Sequence, residues 1–538
     1  MNIISKPFVT VNKLPAIVPA GMEDQKILVI GQKLSTGSAT EKILYEDVTK
    51  ADVNTLFGKG SFLQNSLSGI FDVFQRSGSI KLPRVDVIPL DDVIAGVKAT
   101  STLIVSEVGG STNAATVTGN IEVIIGSKFL YTFPITIADG QAIVTGTGNI
   151  ADAIANAIND NDELPVTAVN VAGTITLTCR HKGTIGNGIT FRVKGLSYDG
   201  ANYVLGNVKI AITAFTGGVT DPTVTTILSV VGDKRYQTIT HPIEYGIVFS
   251  VTNFLDNRFN VDNDIQDGVC IVSNTDTTSN LKTALSSLNS QSLVYFCNKK
   301  VSESMYNGST VIDLDFVSSA RFAAIRALRL TEDANIIRFV ASNVQSKDLR
   351  GGKHISTLPY PNTPVYAISP IETIYGFTQT EIQELEDLGG SVMGNNNVGN
   401  QILLGDIVTT YKTDAQANPD PTWHYLETVD TLSISAEYMF NNLKQDFAQS
   451  RLTEGNLING FTMVNEIAFK GQLKKYYIDL SEEAITPEGK DAVDYFYNNI
   501  STVIDMLNGR ISATCNLPIV VQLREILVNL RTTFSIGG

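Results

Sequence analysis

The sequence predicts a multidomain α/β protein, and three observations lead there. At 538 residues, 43% hydrophobic and 17% charged, it exceeds one core, and about 150 residues per domain implies three or four domains. Short buried strands alternate with helices at both ends of the first 400 residues. Between them, from about residue 93 to 220, the chain turns rich in Thr, Val, Ile and Gly and poor in charge.

Residues 1–24 read as an extended arm. Pro7, Pro15 and Pro19 forbid a helix, and Val9 and Val11 alternate with Thr10 and Asn12. Lys6 and Lys13 interrupt the apolar residues, so the segment is not a signal peptide. "KILVIGQ" (26–32) is a buried strand, residues 49–78 carry apolar residues near helical spacing, and "RVDVIPL" (84–90) is the next strand. These open an α/β body that we place at 25–92 and 221–400.

The segment 93–220 reads as a β-rich domain inserted into a loop of that body. Its strand-like runs include "NIEVIIG", "KFLYTFPITI", "TITLTC", "ITFRVK" and "VKIAITAF", with one helix at "NIADAIANAIND" (149–160). "TVTTILSVVG" then reads as helix. "DGVCIVSN" (267–274) and "SLVYFCN" (292–298) are buried strands flanking a helix, and "LDFVSSARFAAIRALRLTE" is a longer helix. Thr378 with Glu381 three residues on forms a capping-box pattern, and Gly389 is placed to end that helix.

A C-terminal α+β unit follows at 401–521. Residues 488–509 read as a helix with Ala492, Val493, Phe496, Ile500, Val503, Ile504 and Leu507 on one face. The last segment, 522–538, is an arm: Val528, Leu530, Thr532, Phe534 and Ile536 alternate with polar residues. A strand of this kind pairs within its own subunit or is donated to a sheet edge on a neighbour.

Composition narrows the function. With 40 Lys+Arg against 54 Asp+Glu, the formal charge of -14 and the lack of a basic run argue against direct nucleic-acid binding. No window of about 20 apolar residues predicts a membrane span. Cys179, Cys270, Cys297 and Cys515 lie far apart and read as buried reduced thiols.

Catalytic readings find little support. His181, His241, His354 and His424 are scattered, no serine stands in a G-x-S-x-G elbow, and "GKGSF" (58–62) lacks the spacing of a P-loop. No metal-clip spacing occurs, and Asp91–Asp92 and Glu482–Glu483 read as solvated faces. "TCRHKGTIGN" (178–187) concentrates a histidine, a cysteine and two glycines, but a strand rather than a helix follows it. We read it as a turn between strands, with Arg180, His181 and Lys182 toward solvent.

Several segments, in order, resemble a known family. They are "ILVIGQKLSTGSAT" (27–40), "VTKADVNTLFGKGSFL" (48–63), "VIPLDD" (87–92), "LTCRHKGTIGNGITFRV" (177–193), "AFTGGVTDPTV" (214–224), "YQTITHP" (236–242), "TTYKTDAQANPDPTWHYLETVDTLS" (409–433) and "QLREILVNLRTTFSI" (522–536). Together they resemble the tail sheath proteins of contractile-tailed phages of the Mu-like branch. That resemblance implies a virion structural protein without enzymatic activity or cofactor, assembled in the host cytoplasm. It implies stacked hexameric rings around a tail tube, contracting from a metastable state to drive the tube through the host envelope for genome ejection. The implied partners are further copies of the chain, the tube protein, and baseplate and tail terminator proteins.

It also implies a body of subtilisin-like but non-catalytic fold, an insertion on the outer surface, and terminal arms that add strands to neighbouring subunits through Val9, Val11, Val528, Leu530, Thr532, Phe534 and Ile536. The resemblance further implies that the domain at 401–521 faces the tube, with the exposed faces of the 436–451 and 488–509 helices and the residues Lys444, Arg451, Lys490 and Arg510 as candidate contacts. Two other readings stay open: the sheath of a genome-free contractile particle, and a soluble hydrolase on a subtilisin-like fold.

Overall fold

The computed structural model describes residues 24–77, 82–110, 112–125, 134–199, 201–224, 227–259, 266–300, 314–331, 360, 364–365, 376–396, 401–482 and 485–521. Both arms therefore lie outside the described residues, with Val9, Val11, Val528, Leu530, Thr532, Phe534 and Ile536, and so does His354. The chain divides into two compact units, one holding 24–429 and the other 430–521.

The larger unit opens with β1 (Lys26–Gln32), α1 (Val53–Phe57), α2 (Phe62–Ser77) and β2 (Arg84–Leu90). The two strands are the two read from the sequence. The middle segment supplies β3 (Lys98–Glu107), β4 (Gly119–Ile125), β5 (Ile135–Ile137), α3 (Ile150–Asp160), β6 (Val166–Val171), β7 (Thr174–Lys182), β8 (Phe191–Lys194), β9 (Ser197–Tyr198), β10 (Tyr203–Leu205) and β11 (Val208–Ile212). Then come β12 (Thr238–Thr240), α4 (Val248–Asp256), β13 (Val269–Asp276), α5 (Thr278–Ser286), β14 (Leu293–Lys299), α6 (Asp315–Arg329), β15 (Pro364–Val365), α7 (Gln379–Asp387), β16 (Gly390–Asn396) and β17 (Gln401–Leu404). The described residues of "TVTTILSVVG" form a 3-10 turn at Ile227–Val231 rather than the expected helix, since three threonines and four β-branched apolar residues in this segment disfavour a full helix.

One sheet orders the body as β15-β17-β16-β14-β13-β12-β1-β2. The run β16-β14-β13-β12-β1-β2 is parallel, and β17 closes it antiparallel. Helices cover both faces, which is why the strands read as continuous apolar runs rather than alternations. Ile27, Val29, Val294 and Phe296 pack with α2 and α6, whereas Leu28, Ile30, Val272 and Tyr295 pack with Leu255, Leu281 and Leu385 of α4, α5 and α7. Ile407, Leu426 and Val429 join the first of these cores, so residues 401–429 belong with the body and the expected boundary at 401 moves to 430.

The middle segment builds its own antiparallel sheet, β6-β7-β3-β11-β10-β9, beside a three-stranded one, β5-β4-β8. Ile150, Ile154 and Ile158 of α3 recur every fourth residue and are all buried. The Asn149 side chain caps that helix by accepting from the Asp152 amide at 2.8 Å. The buried core runs on without a break from Leu103 and Leu177 to Leu28 and Phe62 of the body.

The capping box of α7 forms as read: the Thr378 hydroxyl accepts from Glu381 N, and the Glu381 carboxylate accepts from Thr378 N. Gly389 follows in the left-handed region, at φ 83°. Thr378→Ala removes the cap, and thermal or urea unfolding should register a loss of about 1 kcal/mol.

The smaller unit contains most of α8 (Leu426–Phe447), then β18 (Arg451–Leu452), β19 (Met463–Val464), α9 (Glu466–Glu482), α10 (Lys490–Asn498), β20 (Ser501–Asp505) and β21 (Arg510–Thr514). Phe469, Leu473, Tyr476, Tyr477 and Phe496 form its core, with the Tyr477 and Phe496 rings stacked at 4.7 Å. The helix expected over 488–509 ends at Asn498, and 501–514 is a β-hairpin. The run Thr502–Ile504 is β-branched, and the Asp505 carboxylate accepts from Leu507 N and Asn508 N to close the turn. Val503 and Leu507, assigned to a buried face by their helical spacing, are 65% and 93% exposed. The helix expected at 436–451 likewise stops at Phe447, leaving Arg451 on a strand.

Candidate functional site

The parallel order places β2 on one side of β1 and β12 on the other, so the chain reverses direction across the sheet between β1 and β12. In open α/β sheets the crevice beyond the carboxyl ends of such strands is where ligands bind. Here the residues at those ends are Gln32, the Asp91–Asp92 pair and His241.

The crevice is filled by the chain itself. The end of β7 runs into it and brings His181 against Asp92, with Nδ1 at 2.7 Å from Oδ1. The other oxygen of Asp92 accepts from Lys182 N at 3.0 Å. Gln32 Nε2 donates to Asp92 Oδ1 at 2.8 Å and to the Lys182 carbonyl at 3.0 Å. Tyr245 Oη donates to Gln32 Oε1 at 3.4 Å. The His181 ring lies under Phe62 at 4.7 Å between centroids and is 0% exposed.

This corrects two sequence readings. Asp92 is no solvated carboxylate, although Asp91 does reach solvent, where it pairs with Lys33 at 2.7 Å. His181 does not face solvent: it is a core histidine, because β7 alternates and Ile175, Leu177, Cys179 and His181 all point inward. Arg180 and Lys182 are half-buried, and Arg180 Nε donates to the Leu164 carbonyl at 2.7 Å. The turn itself is where it was read, as a 3-10 segment at Thr184–Gly188 held by the Asp221 carboxylate, which accepts from Thr184 N at 2.7 Å.

The electrostatics follow from burial. Burial holds His181 below the ordinary histidine value, and the bond to Asp92 only partly offsets it. For Asp92, burial pushes the carboxyl up, but the bonds from His181, Lys182 N and Gln32 outweigh it and leave it low. His241, between the Pro242 carbonyl at 2.8 Å and Cys270 Sγ at 3.5 Å, is brought down to about 4 by burial. Glu244 is raised to about 8, first by burial and then by Asp315 and Asp221.

A group whose folded pKa is raised favours folding while protonated, and that contribution is lost as pH rises from the unfolded value toward 8. Glu244→Gln should therefore be more stable than the parent at pH 9 and no more stable at pH 4. Urea midpoints at the two pH values check this.

A histidine held by an aspartate forms two parts of a hydrolytic triad. In this pair the third part is missing among the described residues: His181 Nε2 is buried without a hydrogen-bond partner there, and the residue is 0% exposed. No group of three or more His, Cys, Asp or Glu among the described residues could hold a metal. No described helix is long and apolar enough to cross a membrane. Cys179, Cys270, Cys297 and Cys515 are unbridged, three of them are buried and Cys515 is partly so. Burial pushes the Cys179 thiol up to about 12.

The four basic residues singled out from the sequence are all exposed, on separate elements of the smaller unit. Lys444 Nζ lies 4.5 Å from the Phe440 ring centroid, and Arg451 5.9 Å from that of Phe461. Lys490 pairs with Asp494 on its own helix, and Arg510 stands opposite Asp505 in the hairpin.

No protein-family model matches the chain. A curated relative does, at 24% identity over 465 residues, 85% of this chain and 82% of the relative. It is the Mu-like prophage FluMu tail sheath protein of Haemophilus influenzae. The likeness is to a tail sheath protein. It extends across most of both chains and agrees with the resemblance carried by the sequence motifs. Among solved structures, the sheath tail protein of Desulfitobacterium hafniense aligns over 97% of this chain and 99% of its own, at 12% identity and a TM-score of 0.41. The sheath tail protein of Listeria innocua aligns over 93% and 96%, at 13% and 0.41. A chain of the anti-feeding prophage baseplate aligns over 99% and 100%, at 10% and 0.43. At these scores they do not bear on the fold.

Proposed function

We propose that this chain is the sheath subunit of a contractile phage-like tail. The observation that carries the proposal is the likeness to a tail sheath protein over 85% of the chain. On this reading, subunits stack as hexameric rings around a tube, bounded by baseplate and terminator proteins. The array is built in the host cytoplasm in a metastable extended state. Contraction draws on the free-energy difference between two packings of the same subunits, with no catalytic step and no cofactor. The contacts of His181 and Lys182 with Asp92 and Gln32 support this, because the chain's own residues take up hydrogen-bonding groups of the usual α/β ligand site.

The body, expected to be subtilisin-like, carries the 93–220 insertion toward the outside of the tail, and the smaller unit faces the tube. Lys444, Arg451, Lys490 and Arg510 there remain the proposed tube contacts, as weak and releasable pairs. The arms supply the links between subunits. The 522–538 segment donates its period-two strand through Val528, Leu530, Thr532, Phe534 and Ile536, and the first arm does so through Val9 and Val11.

The β20–β21 hairpin fits the role of acceptor. It pairs with no third strand among the described residues, and a two-stranded hairpin alone is marginally stable in water. A chain ending at Gln522 tests the strand donation. It should keep the parent's circular dichroism and fail to form tubes by negative-stain electron microscopy. Tubes from the truncated chain would remove the C-terminal arm from the mechanism.

A further inference from the structure

We infer that the Asp92–His181 contact, with Gln32, is a latch that seats the insertion in the crevice of the body sheet and makes the two open as one piece. Three chain segments distant in sequence meet at one carboxylate. Asp92 follows β2, Gln32 ends β1, and His181 and Lys182 end β7. All four hydrogen bonds among them fall between 2.7 and 3.0 Å. Lys182 Nζ adds a bond to the Ile94 carbonyl at 2.8 Å, closing β7 onto the segment that leaves the body.

A second seam holds the insertion at the start of α2. Lys59 pairs with Asp162 at 3.0 Å, and Asn65 Nδ2 donates to the Glu163 carbonyl at 3.1 Å. Gly60, at φ 77°, lets the backbones close, since a Cβ there would stand 2.6 Å from the Leu164 carbonyl oxygen and 2.7 Å from Arg180 Nε. This seam is mostly exposed and is weaker per contact than the buried one.

His181 is specified for the latch by its chemistry. With Nε2 buried and unpartnered, the neutral ring donates through Nδ1 to Asp92, and protonation would place an unsatisfied N–H under Phe62. A hydrophobic residue of similar size would fill the space but remove one of the three donors to Asp92, the one from the side chain of the insertion. The residue acts by position and touches no reacting group.

The test is hydrogen exchange, read by mass spectrometry, on the full chain. In the parent, amides of β7 and β3 should exchange on the same slow timescale as those of β13 and β14. His181→Ala should speed the β3 and β7 amides about tenfold or more while β13 and β14 stay protected. His181→Asn, whose amide nitrogen occupies about the place of Nδ1, should recover most of the difference. If His181→Ala does not fold, Gln32→Ala takes its place, removing two of the four bonds and giving a smaller split of the same sign. Equal acceleration of both sets, no acceleration of β3 and β7, or no recovery in the asparagine variant would each overturn the latch.

Discussion

Phe322→Ala should cost the larger unit about 3–5 kcal/mol, the usual range for emptying a large aromatic from a packed core. Phe322 is 1% exposed on α6, with its ring 4.6 Å from that of Phe296 on β14 and 5.5 Å from that of Tyr360. Around it α6 is buried on nearly every side, so neighbours have little freedom to collapse into the space. The three arginines of α6 are held by specific partners. Arg321 Nη1 meets Asp72 Oδ2 at 3.0 Å, Arg326 Nη1 donates to the Gln237 carbonyl at 2.5 Å, and Arg329 lies over the Tyr360 ring at 4.1 Å. Urea unfolding of the full chain, followed by a signal from the larger unit, measures the loss. A change below about 1 kcal/mol would mean that α6 does not key the sheet as described.

The second large effect is acid lability from His241. Its folded pKa, about 4, lies below the ordinary value of 6.5, so the unfolded chain binds a proton that the folded chain refuses. Stability is complete above about pH 6.5 and is lost as pH falls toward 4, by up to about 3 kcal/mol at about 1.4 kcal/mol per unit. His241→Leu removes the titrating group and should flatten that part of the pH profile, although the hydrogen bond to the Pro242 carbonyl is lost. Glu244 works with the opposite sign over a higher window, so a Glu244→Gln background isolates the histidine. An unchanged slope between pH 6.5 and 4 in the leucine variant would exclude His241 as its source.

Much of the body was legible because it obeys simple periodicity. β1, β2, β13 and β14 are buried on both faces and read as unbroken apolar runs, and the α7 cap reads directly from Thr378 and Glu381. The site was misread because polarity was taken as a sign of exposure. His181 is polar and fully buried and Asp92 is polar and partly buried, and the hydrogen bonds that Asp92 makes with His181, 89 residues away, and with Gln32 and Lys182 N offset the cost. The alternation Ile175, Leu177, Cys179, His181 was the available signal, and it placed the histidine on the inward face of β7. The hairpin at 501–514 was missed for a related reason. Ile500, Val503, Ile504 and Leu507 match a helical spacing by coincidence, while the β-branched run and the Asn508-Gly509 turn favour strands. The buried arginines of α6 had no signal in the local sequence, since their partners lie on α2, on the segment entering and forming β12, and at Tyr360.

The central claim is that the chain is a sheath subunit, and negative-stain electron microscopy of the purified full chain tests it most directly. The account predicts long hollow tubes of regular repeat. A preparation holding only discrete monodisperse particles, under every condition of salt and concentration tried, would contradict it.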